Sequence, residues 1–144
     1  MSTTLRLNQK VAFSKLLWVG PLAIIVSVLA NLILRALAVT ALNPSPEFQP
    51  LATSGPVIFL TAVGALGAVI AYALVGRFAK QPIRAYHVIA AAALVVSLVP
   101  DLMLFSGNAP FGGVTVSAVL VLMAMHVVTW AISVGLLTTL GVER

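Results

Sequence analysis

The sequence predicts an all-α integral membrane protein. It is expected to be a single transmembrane domain over residues 1–144, a four-helix bundle running up-down-up-down with both termini cytoplasmic. Three observations carry this expectation. Hydrophobic residues make up 61% of the chain and charged residues 8%, against about 25% charged in soluble domains. A soluble fold could not cover that much apolar side chain, so lipid must do so. Residues 16–42, 57–79, 83–105 and 114–140 form four apolar runs, and a helix needs about 20 such residues to cross a bilayer. Basic residues flank these runs asymmetrically: Arg6, Lys10 and Lys15 precede the first, Arg77, Lys80 and Arg84 join the second to the third, and Arg144 ends the chain. The other two connections have none, which puts the basic side in the cytoplasm.

Residues 1–15 read as a topogenic flank, with contact to anionic lipid as the functional alternative. The first run passes Ala36 and Ala38, which resemble a cleavage site, yet it is too long for a signal core and holds Asn31 and Arg35. It is therefore expected to remain as the first helix. Residues 43–56 carry Pro44, Pro46, Pro50 and Pro56, a loop whose Ser54 is a cap candidate for the second helix. Alanine and leucine dominate the runs, and alternation is absent, so helix prevails over strand.

On the second run Gly64, Gly67, Ala68 and Ala71 share one narrow arc. Such a face is expected to be a seam for close helix packing, with a backbone-lined substrate path as the alternative. Gln81-Pro82 turns the chain into the third run, while residues 106–113, with Gly107, Pro110, Gly112 and Gly113, break it before the fourth. Trp18 and Tyr86 fall where interfacial rings are favoured.

Polar residues inside the runs are the candidate site, because a charge at the bilayer centre costs about 2.5 to 3.5 kcal/mol. Arg35 lies about 30 Å from Lys15 and Asp101 about 25 Å from Arg84, at similar depth. Asn31 precedes Arg35 by four residues and Ser97 precedes Asp101 by four, so each pair shares a helix face. An Arg35–Asp101 pair is expected near the outer surface, either as a structural contact or as one end of a proton or ion path. Pro100 frees the Val96 carbonyl, which Ser97 or a neighbouring helix could satisfy; the site is a kink, a hinge or the helix end. His126 is the deepest ionisable group and is expected to face the bundle interior, with Thr129, Trp130 and Ser133 on the same side. It suits an interhelical hydrogen bond, a proton relay or a pigment metal. His87 lies near the opposite interface, too far in depth for a bis-histidine haem.

The chain has no cysteine, which excludes disulfides, thiolate metal sites and dithiol redox chemistry. No nucleophile with a matching base, paired-carboxylate site or phosphate loop is legible, so enzyme activity is not favoured and no catalytic residue, cofactor or metal is expected. The net charge of +5 is spread singly beside apolar runs, which excludes nucleic acid as a partner. The expected partners are the lipid bilayer and either a second copy of the chain or a membrane protein complex.

Asn31 late in the first run, Ser97, Pro100 and Asp101 ending the third, and His126 in the fourth resemble a family of small four-helix bacterial membrane proteins catalogued only as a domain of unknown function. The similarity spans nearly the whole chain, with Arg35 outside the family pattern. It implies a bacterial inner-membrane protein and carries over no catalytic residue. The leading expectation is a non-catalytic accessory or interaction subunit. The rivals are a small transporter or proton- or ion-conducting protein using the outer polar cluster, and a pigment-binding subunit with His126 as ligand.

Overall fold

The computed structural model describes residues 9–143; Arg6 and Arg144, both counted in the orientation argument, lie outside the described residues. The chain forms α1 (Phe13–Leu42), a short α2 (Gln49–Ala52), α3 (Ser54–Phe78), α4 (Pro82–Met103) with a 3-10 turn (Leu104–Ser106), and α5 (Val116–Leu140). Four of these helices are long and apolar enough to cross a membrane. None has a pronounced polar stripe, which is what lipid-covered helices require. Large apolar side chains such as Leu17, Phe59 and Phe78 point outward.

Hydropathy locates the apolar part of a helix and not its ends. α1 and α3 each begin three residues before the expected run, and Ser54 lies inside α3, with Thr53 at its cap position. At α5 the Thr115 hydroxyl accepts from the Ala118 N–H at 3.2 Å, leaving Val114 outside the helix. Pro100 sits within the last turn of α4.

α1 packs chiefly on α3 and α5, while α4 packs on α3 and α5 and has no extensive contact with α1. The described chain ends meet at one end of the molecule. There Val11 and Val142 form an antiparallel bridge, the Ala12 N–H donates to Gly141 at 2.8 Å, and Lys15 Nζ donates to the Val142 carbonyl at 2.8 Å. Beside them Tyr72 and Tyr86 pack edge to face at 4.9 Å within an apolar cluster that includes Val19, Ile83 and Leu137. Tyr86, one turn into α4, is thus buried, because the tight turn at residues 79–81 folds it onto Tyr72.

At the loop end Phe48, Leu51, Val57, Ala118 and Met125 make a second cluster. Phe111 packs edge-on to Phe48 at 5.5 Å, joining the two loops over the helices. Along α5, Met125 belongs to the loop-end cluster and Val134 to the terminal one, with Thr129 and Ser133 between them. The polar residues therefore occupy a layer between two apolar cores.

Candidate functional site

Asn31 and Ser27 lie one turn apart on α1 and are both buried, on the side that meets α3 and α5. The Asn31 Nδ2 donates to Thr61 Oγ1 at 3.0 Å, to Thr129 Oγ1 at 2.9 Å and to the Met125 carbonyl at 3.3 Å. A carbonyl only accepts, so Met125 fixes which end of the amide faces α5. One side chain thereby ties three helices together. Asn31→Leu is expected to lower stability by about 1–2 kcal/mol, since interhelical hydrogen bonds in membranes are individually modest but three acceptors lose their donor here. Equilibrium unfolding in bicelles checks this, and an unchanged midpoint would contradict it. Thr61 carried no signal of its own; it is one hydroxyl near the start of an apolar run.

The expected Arg35–Asp101 pair is not formed. Arg35 Nε donates to the Leu51 carbonyl at 3.1 Å and its Nη2 to Ala52 at 2.9 Å, so the guanidinium caps the C-terminal end of α2. Asp101 instead meets His126, with Oδ2 3.0 Å from Nδ1. The physical reason is azimuth: equal depth does not make neighbours of helices that do not pack together, and α1 and α4 do not. Of the five candidates, the structure brings Asp101 to His126, puts Asn31, Ser97 and His126 on one cavity, and leaves Arg35 at the loop end.

His126 Nδ1 is also 3.0 Å from the Leu122 carbonyl, one turn back on its own helix. The N–H is directed at that carbonyl, and the carboxylate lies close beside it without hydrogen-bond alignment. Asp101 is 7% exposed, whereas the His126 side chain is 39% exposed. The imidazole is therefore held on one edge and open on the other. Ser97 donates to Leu94 at 2.7 Å and not to the carbonyl that Pro100 frees. His87 Nδ1 lies 2.7 Å from the carbonyl of Ile83 in its own helix, apart from the others. Among the described residues no group of three His, Cys, Asp or Glu side chains could hold a metal ion.

His126 opens onto a cavity of about 430 Å³ bounded by α3, α4 and α5, with Asn31 of α1 behind them. This is within the range of small-molecule sites, about 300–1,000 Å³. The small residues Gly64, Gly67, Ala68 and Ala71 form one wall and Ala90, Ala93 and Ser97 another. A Cβ added at Gly64 or Gly67 would meet nothing within 4 Å. Within this chain Gly64 and Gly67 leave space between α3 and α4, whereas Ala71 packs against the terminal apolar cluster. Gly64, Gly67, Ile89 and Ala93 are exposed, so the cavity is partly open on that side.

Four of its lining residues carry a buried polar atom with no partner in the described structure: Asn31 Oδ1, Tyr86 Oη, Trp130 Nε1 and Ser133 Oγ. Each such atom costs about 1–3 kcal/mol. Trp130 and Ser133 were legible as part of a polar face on the last helix; Tyr86 was not, because its aromatic signal pointed to an interface.

No curated protein and no solved structure matches the chain. Residues 11–141 match the model of a family of unknown function, DUF6069. That stretch contains all four long helices, the Asp101–His126 contact and every residue of the cavity. The chain thus belongs to the DUF6069 family.

Proposed function

We propose that the protein is a non-catalytic binding module of the bacterial inner membrane, an accessory subunit that holds a small lipid-soluble molecule between α3, α4 and α5. The observation that carries this is the cavity itself: an apolar space open on one side, with the partly exposed His126 side chain among its lining residues. Such a space suits a lipid-soluble molecule with a polar group to meet the imidazole. The test is purification of wild type and Gly67→Leu in polymer nanodiscs, followed by mass spectrometry of the extract. Wild type is expected to carry a molecule at near-stoichiometric amount that the variant lacks; identical extracts would overturn the proposal.

The arrangement proposed in the membrane is up-down-up-down with both termini cytoplasmic. It is supported by the meeting of the described chain ends beside Lys15 and by the basic turn between α3 and α4. Reporter fusions at Gln49 and Lys80 are expected to read outside and inside respectively, and the same side for both would contradict the topology.

A second reading, proton or ion conduction, is favoured by the Asp101–His126 contact at membrane depth. It predicts a proton flux in liposomes that Asp101→Asn abolishes; the binding reading predicts none above empty vesicles.

A further inference from the structure

The exposed edge of His126 narrows the class of molecule. Nδ1 faces the Leu122 carbonyl and the Asp101 carboxylate, both acceptors, so it carries a proton. Asp101 is 7% exposed and no other cation lies within 4.0 Å of it among the described residues, so the ring also carries the charge that offsets the carboxylate. An imidazolium donates from both nitrogens. Nε2 has no partner among the described residues and is not one of the fully buried atoms, so this second N–H is open to the cavity that His126 lines. It calls for a ligand that accepts.

Charge and depth limit that acceptor. The imidazolium is already matched by Asp101, and the cavity's lining residues include no Lys, Arg, Asp or Glu. A carboxylate or phosphate would therefore enter apolar surroundings without a counter-charge of its own, whereas a carbonyl has no charge to offset. His126 lies ten residues into α5, about 15 Å from the helix start, and in a hydrocarbon core about 30 Å thick a phospholipid brings only acyl chain to that depth. The carbonyl must belong to a molecule that is lipid-soluble as a whole. Gly64, Gly67 and Ala93, all exposed, give its apolar remainder a way out toward lipid. From these features, and resting on the binding reading above, we infer that the cavity takes an uncharged, lipid-soluble carbonyl compound whose oxygen accepts from His126 Nε2–H.

The test titrates decanophenone, a phenyl alkyl ketone, into the full chain in nanodiscs, read by tryptophan quenching. Decylbenzene, identical except for a methylene in place of the carbonyl, is titrated as its competitor. The ketone is expected to bind about tenfold more tightly, the difference of roughly one hydrogen bond to a charged donor. The infrared stretch of its isotope-labelled carbonyl is expected to move to lower frequency than in empty nanodiscs. In Asp101→Asn the ring has no carboxylate to match and is neutral; the Leu122 carbonyl keeps the proton on Nδ1, Nε2 becomes an acceptor, and the two probes are expected to bind alike. Gly67→Leu is expected to remove binding of both. Gly135→Leu, where an added Cβ also meets nothing within 4 Å but which lies off the cavity, is expected to keep it. Equal binding of the two probes to wild type, an unshifted carbonyl band, or a ketone preference undiminished in Asp101→Asn overturns the carbonyl inference and leaves the binding module standing. If neither probe binds while wild type still carries an extracted molecule that Gly67→Leu lacks, the inference again falls alone. If neither binds and the extracts are identical, both fall.

Discussion

His126→Leu is expected to cost about 3 kcal/mol of stability, and adding Asp101→Leu to recover most of that loss. Asp101 is 7% exposed, in the last turn of α4, and His126 is the one basic side chain within 4.0 Å of its carboxylate among the described residues. Removing one member of a desolvated pair leaves the survivor uncompensated, at about 3–5 kcal/mol, while removing both in favour of apolar residues is often close to neutral. The lower end applies because His126 is itself partly exposed to the cavity. Unfolding of the two single variants and the double in bicelles gives the coupling directly. Additive losses would mean that the 3.0 Å approach carries no energy. The same cycle run on Arg35 and Asp101 is expected to be additive, since Arg35 is engaged with the carbonyls of α2.

That contrast shows where a sequence stops being informative about a membrane bundle. Depth was readable, because the bilayer imposes a fixed length on each apolar run and 1.5 Å of rise per residue converts position to height. Arg35 and Asp101 were placed at similar height by this reasoning, and height is all it yields. Which helix faces which depends on packing, and α1 lies against α3 and α5. Hydrophobic periodicity, the usual guide to a helix's inner face, is nearly absent when lipid is as apolar as the core. Asn31 was legible for the opposite reason: an amide within an apolar run must face protein, whatever the topology.

Small residues are ambiguous in a more basic way. Gly64 and Gly67 permit close approach, but permission is not contact, and the same absence of side chain serves equally to leave a space. The deciding fact is where the neighbouring helix goes. Tyr86 packs edge to face with Tyr72 near the turn that joins α3 to α4, and Asp101 holds the far end of α4 to α5. α4 is thereby anchored at both ends, with the cavity lying along the stretch between them.

The loop end supplies the second large effect. Gly113→Val is expected to cost about 3 kcal/mol, whereas Gly107→Ala costs about 1 kcal/mol, although both glycines have positive φ. Gly113 has φ +70°, a conformation that a β-branched residue avoids at about 1–3 kcal/mol. A Cβ there would also lie 2.6 Å from Ser45 Cβ and 3.1 Å from the backbone nitrogen of Phe48. Phe48 is fully buried, and its ring holds Phe111, so the first loop has little freedom to withdraw. Overpacking against such a neighbour adds about 1–3 kcal/mol. Gly107 has φ +78° but nothing within 4 Å of an added Cβ, which leaves backbone strain alone. The comparison is read as thermal unfolding in detergent, with proteolysis within residues 43–53 as a local probe. Because Arg35 ties α2 to α1 independently of Gly113, cleavage in Gly113→Val is expected to rise between Asn43 and Phe48 before the helices unfold. Equal losses at the two glycines would show that the two loops are not packed as a unit.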